Sequence, residues 1–554
     1  MMTLPQPRAR WMWLAAALLM LAEFLVFDRM TTRHHTKIYP RWDDQVYYLA
    51  QAYQGYEDSR TNGLAHGLGT TFARPSPQGA LHHVAGILTF TVAGGPSRGA
   101  ALSLNMLAFL AWQAALLFAF SRVGGSWTLG WMAVGLLPCL FRPWSAEAGA
   151  ATDFRLDHAA MCLFGVSAAL TLLTRGFRST RWSLVLGLAL SATLLERFLT
   201  SVYLAPLFVL SAGWILCGPE KWPRLRNLLF CGLVTAVLVG PVFWINRTAL
   251  YNYYWVGQVS GAEAAARLLS FSPKDSAEFI FSYLRHQQLG PWFIRNAAGL
   301  TLALLALALL SFRFVRSKPD QRIDWDWLFF GFAFFFVPAV VLHFHQQKSN
   351  VVLGILVPGL VLLVGWLWSV LWPRAAATTE AHPAARFIPA VLVLVALYLG
   401  GTFFMARQRW QPYEAPFLED ARRVNHLSDY LFDRSRAGNL SAPRLGIDQV
   451  NDAFFAQVMQ VLGYERKKVW VPYQGLLPTG ILEQKDAVIM DRLAQCDFVI
   501  VTDRMSGEGR WPYDRQMRRL YPVVKAWCDA HLRHIESFTL FGQQMSLYQR
   551  RDLP

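Results

Sequence analysis

Charged residues are scarce in this sequence. Of its 554 residues, only 16% are Asp, Glu, Lys or Arg, against about 25% in an average soluble domain. The hydrophobic share of 54% excludes a disordered chain and disfavours an ordinary soluble enzyme. Cysteine is also scarce, because there are six and no two have CxxC spacing. The sequence therefore indicates neither zinc nor iron–sulfur chemistry and no dense disulfide scaffold.

Long apolar runs alternate with short basic stretches, which is typical of a polytopic membrane protein. The first run follows Arg8 and Arg10 and lacks a small-residue cleavage pattern, so we interpret it as a retained span and not as a signal peptide. The sequence predicts about eleven transmembrane helices, near residues 11–27, 100–120, 127–141, 157–174, 182–196, 199–217, 228–246, 293–312, 327–343, 351–371 and 387–405.

The position of the positive charge indicates how the chain is oriented. The part before residue 405 holds 31 basic and 18 acidic residues, whereas the remaining tail holds 21 and 18. Most of the excess thus lies in short loops between spans, which is the pattern of cytoplasmic loops. We expect a multi-pass protein of the inner (plasma) membrane with a cytoplasmic amino terminus and an extracytoplasmic tail. No nucleic-acid partner is expected.

Two domains are predicted from these patterns. Residues 1–405 form the transmembrane domain, with long outer loops at 28–98 and 247–292. Residues 406–554 form an extracytoplasmic α/β domain, with strands near 444–448, 468–472 and 498–502. Cys496 and Cys528 share that oxidising compartment, where they either pair or act as small core residues.

The first candidate for chemistry is the pair Asp43 and Asp44, which stands directly after the first span. A carboxylate at a membrane surface can act as a general base. Asp is also preferred where a helix begins, so Asp43 is equally expected to cap a helix over residues 45–52. The two roles are compatible.

Other polar groups also lie at the predicted outer mouths of the spans. The segment Arg74-Pro75-Ser76-Pro77 predicts a turn that leaves Arg74 at the interface. Asp153, Arg155 and Asp157 place three charges in five positions, as either a polar cap or a functional cluster. Lys348 follows His343 and His345, which we interpret as interfacial residues.

The order of these features resembles the GT-C glycosyltransferases, in particular the branch of the protein O-mannosyltransferases and the aminoarabinose transferases of lipid A. Asp43-Asp44-Gln45-Val46-Tyr47 resembles the acidic pair and tyrosine that begin the first outer loop of that branch. Arg74-Pro75-Ser76-Pro77 is similar to its Lys-Pro-Pro-Leu segment. Gly95 and Arg98 resemble the glycine and arginine that open its second span.

Later segments follow the same order. The run 153–175 is similar to the family's charged start of the fourth span, and the segment 187–197, ending in Glu196-Arg197, resembles its Gly-Leu-Ala helix. The segment 241–247 resembles its Pro-Trp-x-x-Asn exit, and Lys348 with Pro358 its Lys…Pro segment. The chain departs from the family at Ala73 and Arg74 and lacks a tyrosine shortly after Lys348. The tail matches no motif.

The resemblance implies a GT-C-like membrane fold and transfer of a sugar from a polyprenyl-phosphate donor to a lipid, glycan or protein acceptor, with inversion. No cofactor is expected, and metal dependence is left open. The implied residues are Asp43 as general base with Asp44 second, Arg74, Lys348, Arg98 and Arg247 for the donor phosphate, and Asp153, Asp157 and Arg155 to line the site or orient the acceptor.

Two alternatives remain open from the sequence. A transporter or flippase of a lipid-linked or polar solute would use the same charges as a translocation path, although no paired internal halves are visible. A polymer ligase is the second alternative. Asp324-Trp325-Asp326 has the spacing of a metal-binding motif, but the predicted topology places it in an inner loop.

Overall fold

The computed structural model describes residues 6–267, 272–314, 324–344, 349–381, 413–447, 455–475, 482–502 and 512–554. The part before residue 382 is almost entirely helical. Its helices are α1 (Gln6–Met30), α2 (Asp43–Asn62), α3 (Leu64–Ala73), α4 (Leu81–Val92), α5 (Arg98–Val123), α6 (Trp127–Leu136), α7 (Leu156–Leu173), α8 (Thr180–Glu196), α9 (Ser201–Leu216), α10 (Lys221–Leu250), α11 (Ala262–Arg267), α12 (Pro273–Tyr283), α13 (Gly290–Phe314), α14 (Trp325–Phe344) and α15 (Val357–Ala381).

Helices stand at ten of the eleven positions predicted for spans, and the eleventh, 387–405, lies outside the described residues. The predicted count of about eleven crossings is not confirmed. In the described part of the chain, eight helical stretches are long and apolar enough to cross a membrane: Arg10–His35, Arg98–Val123, Leu156–Leu173, Phe198–Leu216, Lys221–Ser260, Pro273–Leu309, Trp325–Phe344 and Val352–Pro373. Helices α6 and α8 are shorter than the roughly 20 residues that a crossing needs.

The segments predicted as outer loops are largely helical. Residues 28–98 form α2, α3 and α4, which pack against one another, and α4 packs on α5. Residues 247–292 continue α10 through a π-helical turn at Tyr251–Ser260 into α11 and α12. The segment 142–155 folds back into the protein, where most of its residues are buried. It thereby brings the polar groups ahead of α7 close to the start of α2.

The tail holds a five-stranded sheet in the order β2-β1-β3-β5-β4, built from β1 (Arg444–Ile447), β2 (Gln474–Gly475), β3 (Phe498–Thr502), β4 (Leu532–Leu540) and β5 (Gln543–Arg550). Strands β1, β2 and β3 are parallel, and β5 pairs antiparallel with β3 and β4. In the described parts of the tail, the sheet is accompanied by the helices α16 (Ala415–Ala437), α17 (Ala456–Lys467), α18 (Asp486–Leu493) and α19 (Pro512–His531).

Alternation along β3 explains why both faces of this sheet are covered. Phe498 and Ile500 belong to the core that α16 and α17 share with the membrane helices. Val499 and Val501 belong to a second core with α18 and α19. The predicted α/β composition of the tail is confirmed, and its first core is continuous with that of the membrane helices.

The details of the tail differ from the sequence prediction in two places. Residues 468–472 form no strand, because Lys468 ends α17 in the left-handed region and β2 begins only at Gln474. The β4–β5 hairpin was not predicted. Its turn, Phe541-Gly542, has φ of +53° and +72°, which fits the twist of two antiparallel strands. Cys496 and Cys528 are both buried in the second core and form no disulfide.

Candidate active site

The acidic pair stands where α2 begins. Trp42 is extended, with φ of −128° and ψ of 139°, and Asp43 is the first helical residue. Carboxylates at this end of a helix are favoured, because the first backbone N–H groups lack intrahelical acceptors. Asp43 Oδ1 accepts the N–H of Asp44 at 2.8 Å. The N-cap is therefore Trp42, and the prediction that Asp43 caps this helix was wrong, because the helix begins one residue earlier than a cap at Asp43 requires.

Arg155 connects the acidic pair to a third carboxylate. Its Nη2 lies 3.3 Å from Asp43 Oδ1, its Nη1 lies 3.1 Å from Asp44 Oδ2, and its Nε lies 3.1 Å from Asp153 Oδ2. The guanidinium offsets the repulsion between the adjacent carboxylates and fixes their direction. The side chains of Asp43 and Asp44 remain 59% and 53% exposed, whereas that of Arg155 is 10% exposed. We call these four residues the carboxylate cluster.

Asp153 is the buried support of the carboxylate cluster. It is 1% exposed, and its Oδ2 accepts the N–H of Gly149 at 2.7 Å. Asn105 on α5 donates to the Asp153 carbonyl oxygen at 2.8 Å and to that of Ala151 at 3.2 Å. Burial raises the pKa of the Asp153 carboxyl to about 7, although the charge of Arg155 opposes this shift. The segment ahead of α7 is thereby held to α5.

A second ion pair lies beside this cluster. Asp157, the second residue of α7, pairs with Arg197, which follows α8. The guanidinium of Arg197 has three tyrosines as neighbours, namely Tyr48, Tyr253 and Tyr254. Among the described residues, the buried Arg197 Nε and Tyr254 Oη have no hydrogen-bond partner. Two buried donors without acceptors are costly unless a ligand satisfies them.

The Pro-containing segment after α3 lies against the same region. The N–H of Ser76 donates to Asn246 Oδ1 on α10 at 2.6 Å. Backbone bonds then join residues 78–80 to residues 195–198, from Ala80 N to Leu195 O at 3.0 Å and from Phe198 N to Gln78 O at 2.9 Å. Three segments that are distant in sequence therefore meet at this end of the helices.

Arg74 contacts the same helix, α2, that begins with the acidic pair. Its Nη1 donates to Gln54 Oε1 at 3.0 Å. The charges of Arg74 and of Asp44 both act on the phenol group of Tyr47, so the two side chains share this neighbour. Of the predicted phosphate-binding residues that the structure describes, Arg74 is therefore the one that shares a neighbour with the acidic pair.

Arg98 and Arg247, two further predicted phosphate-binding residues, have other partners. Arg98 is 3% exposed and pairs with Glu465 of the tail at 2.6 Å. Arg247 is exposed and stacks on Trp244, with 4.4 Å between the guanidinium carbon and the ring centre. In the described ranges, neither forms an ion pair with the carboxylate cluster. Lys348 lies outside the described residues.

Sequence reasoning did not include Arg197 among the site residues, nor the contact of His82 with Glu196. His82 Nδ1 lies 2.6 Å from Glu196 Oε1, and both side chains are buried. The signal was present, because Glu196 and Arg197 place two charges at the end of a predicted span, where a charge needs a partner. The partners, His82 and Asp157, are too distant in sequence for any local pattern to indicate them.

No metal site is built from the part of the chain that the structure describes. No group of three His, Cys, Asp or Glu side chains there has an arrangement that could hold a metal ion. The chemistry that the cluster offers is that of exposed carboxylates oriented by a guanidinium, with further cations nearby.

No family model and no curated protein matches the sequence. By structure, the chain is similar to ArnT from Cupriavidus metallidurans in the apo state, with a TM-score of 0.58 at 12% identity over 96% of this chain and 97% of ArnT. ArnT bound to undecaprenyl phosphate matches with a TM-score of 0.56 at 12% identity, over the same shares of both chains. A weaker likeness, with a TM-score of 0.46 at 9% identity, covers 88% of this chain and 69% of the Archaeoglobus fulgidus oligosaccharyltransferase in the apo form.

The ArnT match extends over almost the whole chain, so the chain has an ArnT-like fold and the predicted GT-C-like membrane fold is confirmed. Together with the eight apolar helical stretches, this fold makes the chain an integral membrane protein.

Proposed function

We propose that this protein transfers a sugar from a polyprenyl-phosphate-linked donor to an acceptor outside the cytoplasm, with inversion at the sugar carbon. The observation that carries the proposal is the carboxylate cluster, in which Arg155 orients Asp43 and Asp44 at one end of an ArnT-like set of membrane helices. The ArnT structure bound to undecaprenyl phosphate supports a lipid phosphate as the donor's carrier.

Asp43 serves as the general base in this proposal. A hydroxyl acceptor becomes a better nucleophile when a carboxylate takes its proton as the new bond to the sugar carbon forms. The carboxylate of Asp43 is exposed, and its direction is fixed by Arg155 and by the N–H of Asp44. Asp44 is the second candidate, because it has similar exposure and the same guanidinium.

Cations stabilise the departing lipid phosphate, which leaves with its electron pair and needs no proton donor. Arg74 retains its proposed role because it lies near Tyr47 beside the acidic pair. Arg197 joins it, since its buried Nε and the nearby Tyr254 Oη both lack acceptors among the described residues. A phosphate oxygen is an acceptor that satisfies both donors. Lys348, Arg98 and Arg247 remain predictions without structural support.

Asp157 and Arg155 act as positioning residues in this proposal. Asp157 holds Arg197, and Arg155 holds the acidic pair, while Asp153 supports Arg155 from the buried side. In the proposed topology, residues 1–405 form the membrane domain with a cytoplasmic amino terminus, and the tail lies outside. The acceptor then approaches the exposed side of Asp43 from the outer aqueous phase.

The test uses the leaving group, because its identity does not depend on which sugar is moved. Proteoliposomes containing the full chain are supplied with the lipid-linked sugars extracted from cell membranes, and released polyprenyl phosphate is measured by mass spectrometry. We expect Asp43→Asn to lower the release rate by about 10²- to 10⁴-fold, the usual contribution of a general base. Asp58→Asn, at a half-buried position farther along the same helix, is the matched control.

An unchanged release rate in Asp43→Asn would overturn the base assignment. A transporter gives a different result, because intact lipid-linked sugar changes sides of the bilayer and no polyprenyl phosphate is released. The Asp44→Asn variant then shows which of the two carboxylates takes the proton.

A further inference from the structure

A large cavity with several arginines in its lining lies at the other end of the helices. Helix α7 has 18 residues, and a rise of about 1.5 Å per residue makes it roughly 27 Å long. Arg155 precedes its first residue and Arg175 follows its last. The carboxylate cluster and Arg175 are therefore separated by about the thickness of the hydrocarbon part of a bilayer, roughly 30 Å.

The cavity has a volume of about 760 Å³, and we call it the distal cavity. Its lining comes from the ends of α7, α9, α10 and α14. Its charged described lining residues are three arginines and two aspartates: Arg175, Arg178, Arg224, Asp324 and Asp326. This volume lies in the range of ligand pockets, about 300–1,000 Å³.

Asp326 organises the wall of the distal cavity. Its Oδ2 lies 2.7 Å from Arg178 Nη1, and its Oδ1 lies 3.2 Å from Arg224 Nη2. Trp214 Nε1 donates to the same Oδ1 at 2.7 Å. Asp324 accepts the N–H of Trp327 at 2.9 Å, at the start of α14. The Asp324-Trp325-Asp326 motif thus orients two arginines and begins a helix.

The loop that carries Arg175 is held in an uncommon conformation. Arg175, Gly176 and Phe177 have φ of +51°, +64° and +66°, in the left-handed region, where non-glycine residues are uncommon. Arg224 Nε donates to the Gly176 carbonyl at 2.5 Å, and Asn227 Nδ2 donates to that of Phe177 at 2.8 Å. Arg224, which lines the distal cavity, therefore also helps to fix the strained loop.

The lining has more positive than negative charge to offer a ligand. Arg178 and Arg224 share Asp326, and Arg178 also contacts Glu220 at 3.2 Å. Arg175 is exposed and forms no ion pair with another described residue, and Asp324 is the second acidic side chain of the lining. The structure therefore presents the guanidinium of Arg175 to the cavity without an ion-pair partner, whereas Arg178 is held by both Asp326 and Glu220.

The surroundings indicate where the ligand comes from. Trp325 and Trp222, at the same ends of their helices, are 58% and 68% exposed. Tryptophan rings exposed at helix ends are typical of the head-group region of a bilayer. Basic pockets between membrane helices on the cytoplasmic side bind anionic lipid head groups.

We propose that the distal cavity binds a phosphate ester, supplied by the head group of an anionic lipid, with Arg175 and Arg178 as its donors. Arg224 and Asp326 are positioning residues that hold Arg178 and the strained loop. This site lies at the opposite end of the protein from the carboxylate cluster. The inference does not depend on the proposed transferase function.

The experiment counts bound lipid on the purified full chain. Native mass spectrometry after delipidation and addition of short-chain phosphatidylglycerol is expected to show one retained lipid. We expect Arg175→Gln to weaken this binding at least about tenfold, as loss of one charge-assisted contact does. The matched control is Arg181→Gln, because Arg181 stacks on Trp182 at 5.8 Å and does not line the cavity. The unfolding midpoint without lipid shows that both variants are folded.

Further arms distinguish the source of the phosphate. Stabilisation by phosphatidylglycerol, without an effect of glycerol phosphate or inorganic phosphate, supports a lipid head group. Stabilisation by all three supports a phosphate site open to soluble ligands and overturns the lipid source. Equal binding by Arg175→Gln and Arg181→Gln, or equal binding of phosphatidylcholine, overturns the proposal. Since binding and not sugar transfer is measured, these outcomes leave the proposed function untouched.

Discussion

Arg98 on α5 and Glu465 on α17 form a buried ion pair that joins the tail to the membrane helices. The distance from Arg98 Nη2 to Glu465 Oε2 is 2.6 Å, and Nη1 donates to the carbonyl of His35 at 3.0 Å. Tyr53 on α2 donates to Glu465 Oε1 at 2.7 Å. The helix that begins with Asp43 is thereby connected to the tail as well as to α5.

Removing the charge of Glu465 is expected to destabilise the protein. Glu465→Gln leaves a buried guanidinium without its counter-charge, which costs about 3 kcal/mol, and the unfolding midpoint measured by intrinsic fluorescence in detergent falls. Glu419→Gln is the control, because its pair with Arg423 is exposed and contributes less than about 1 kcal/mol. Equal midpoints for the two variants would show that the tail is held by other contacts.

Replacing Arg155 by Lys is expected to lower activity more than stability. A single ammonium cannot contact three carboxylates as the guanidinium does. Asp43 and Asp44 then lose their fixed direction, and the rate of polyprenyl-phosphate release falls by about 10²-fold. Arg60→Lys, at the exposed end of α2, keeps the wild-type rate. A wild-type rate in Arg155→Lys would mean that orientation by the guanidinium is not needed.

Asp153 makes stability depend on pH. Burial raises its pKa from 3.8 to about 7, against the attraction of Arg155. Between these values the folded chain holds a proton that the unfolded chain has lost, so the free energy of unfolding falls as pH rises through this window and levels above about 7. Unfolding midpoints measured from pH 4.5 to 8 follow this decline in the wild type. Asp153→Asn reduces the slope, and an identical slope in both would refute this source of the pH dependence.

Gly79 is expected to tolerate no side chain. Its φ is +151°, and an added Cβ would meet the backbone oxygens of Leu195 and Glu196, which cannot move without breaking the bonds to residues 78–80. Gly95 has a similar φ of +154° and open space around it. Both Gly→Ala variants carry the conformational cost of about 1 kcal/mol. The additional decrease of the unfolding midpoint in Gly79→Ala, compared with Gly95→Ala, therefore measures the clash of the new Cβ with the backbone oxygens. A midpoint no lower than that of Gly95→Ala would show that the loop can move away freely.

The local pattern of the sequence was sufficient for the helices at the predicted spans, but not for α3, α4 and α12 in the segments predicted as loops. Apolar runs that are long enough to cross a bilayer have few alternatives, because an unpaired backbone in lipid is too costly. Helices are therefore present at every predicted span within the described residues. The short lengths of α6 and α8 show that the position of a helix is easier to predict than whether it crosses the membrane. Short apolar runs also indicated the strands at 444–447 and 498–502, because a sheet that is covered on both sides needs two apolar faces.

Partners distant in the chain were decided only by the tertiary structure. The sequence indicated Asp43, Asp44, Asp153 and Arg155 as one group of polar residues at the outer mouths, but not that a single guanidinium joins the three carboxylates. Likewise, Arg98 contacts a glutamate 367 positions away, and Arg197 is held by Asp157. The sequence is sufficient to predict that a charged residue near a membrane has a counter-charge. Which counter-charge it finds depends on how the helices pack, because only packing brings distant side chains within a few ångströms.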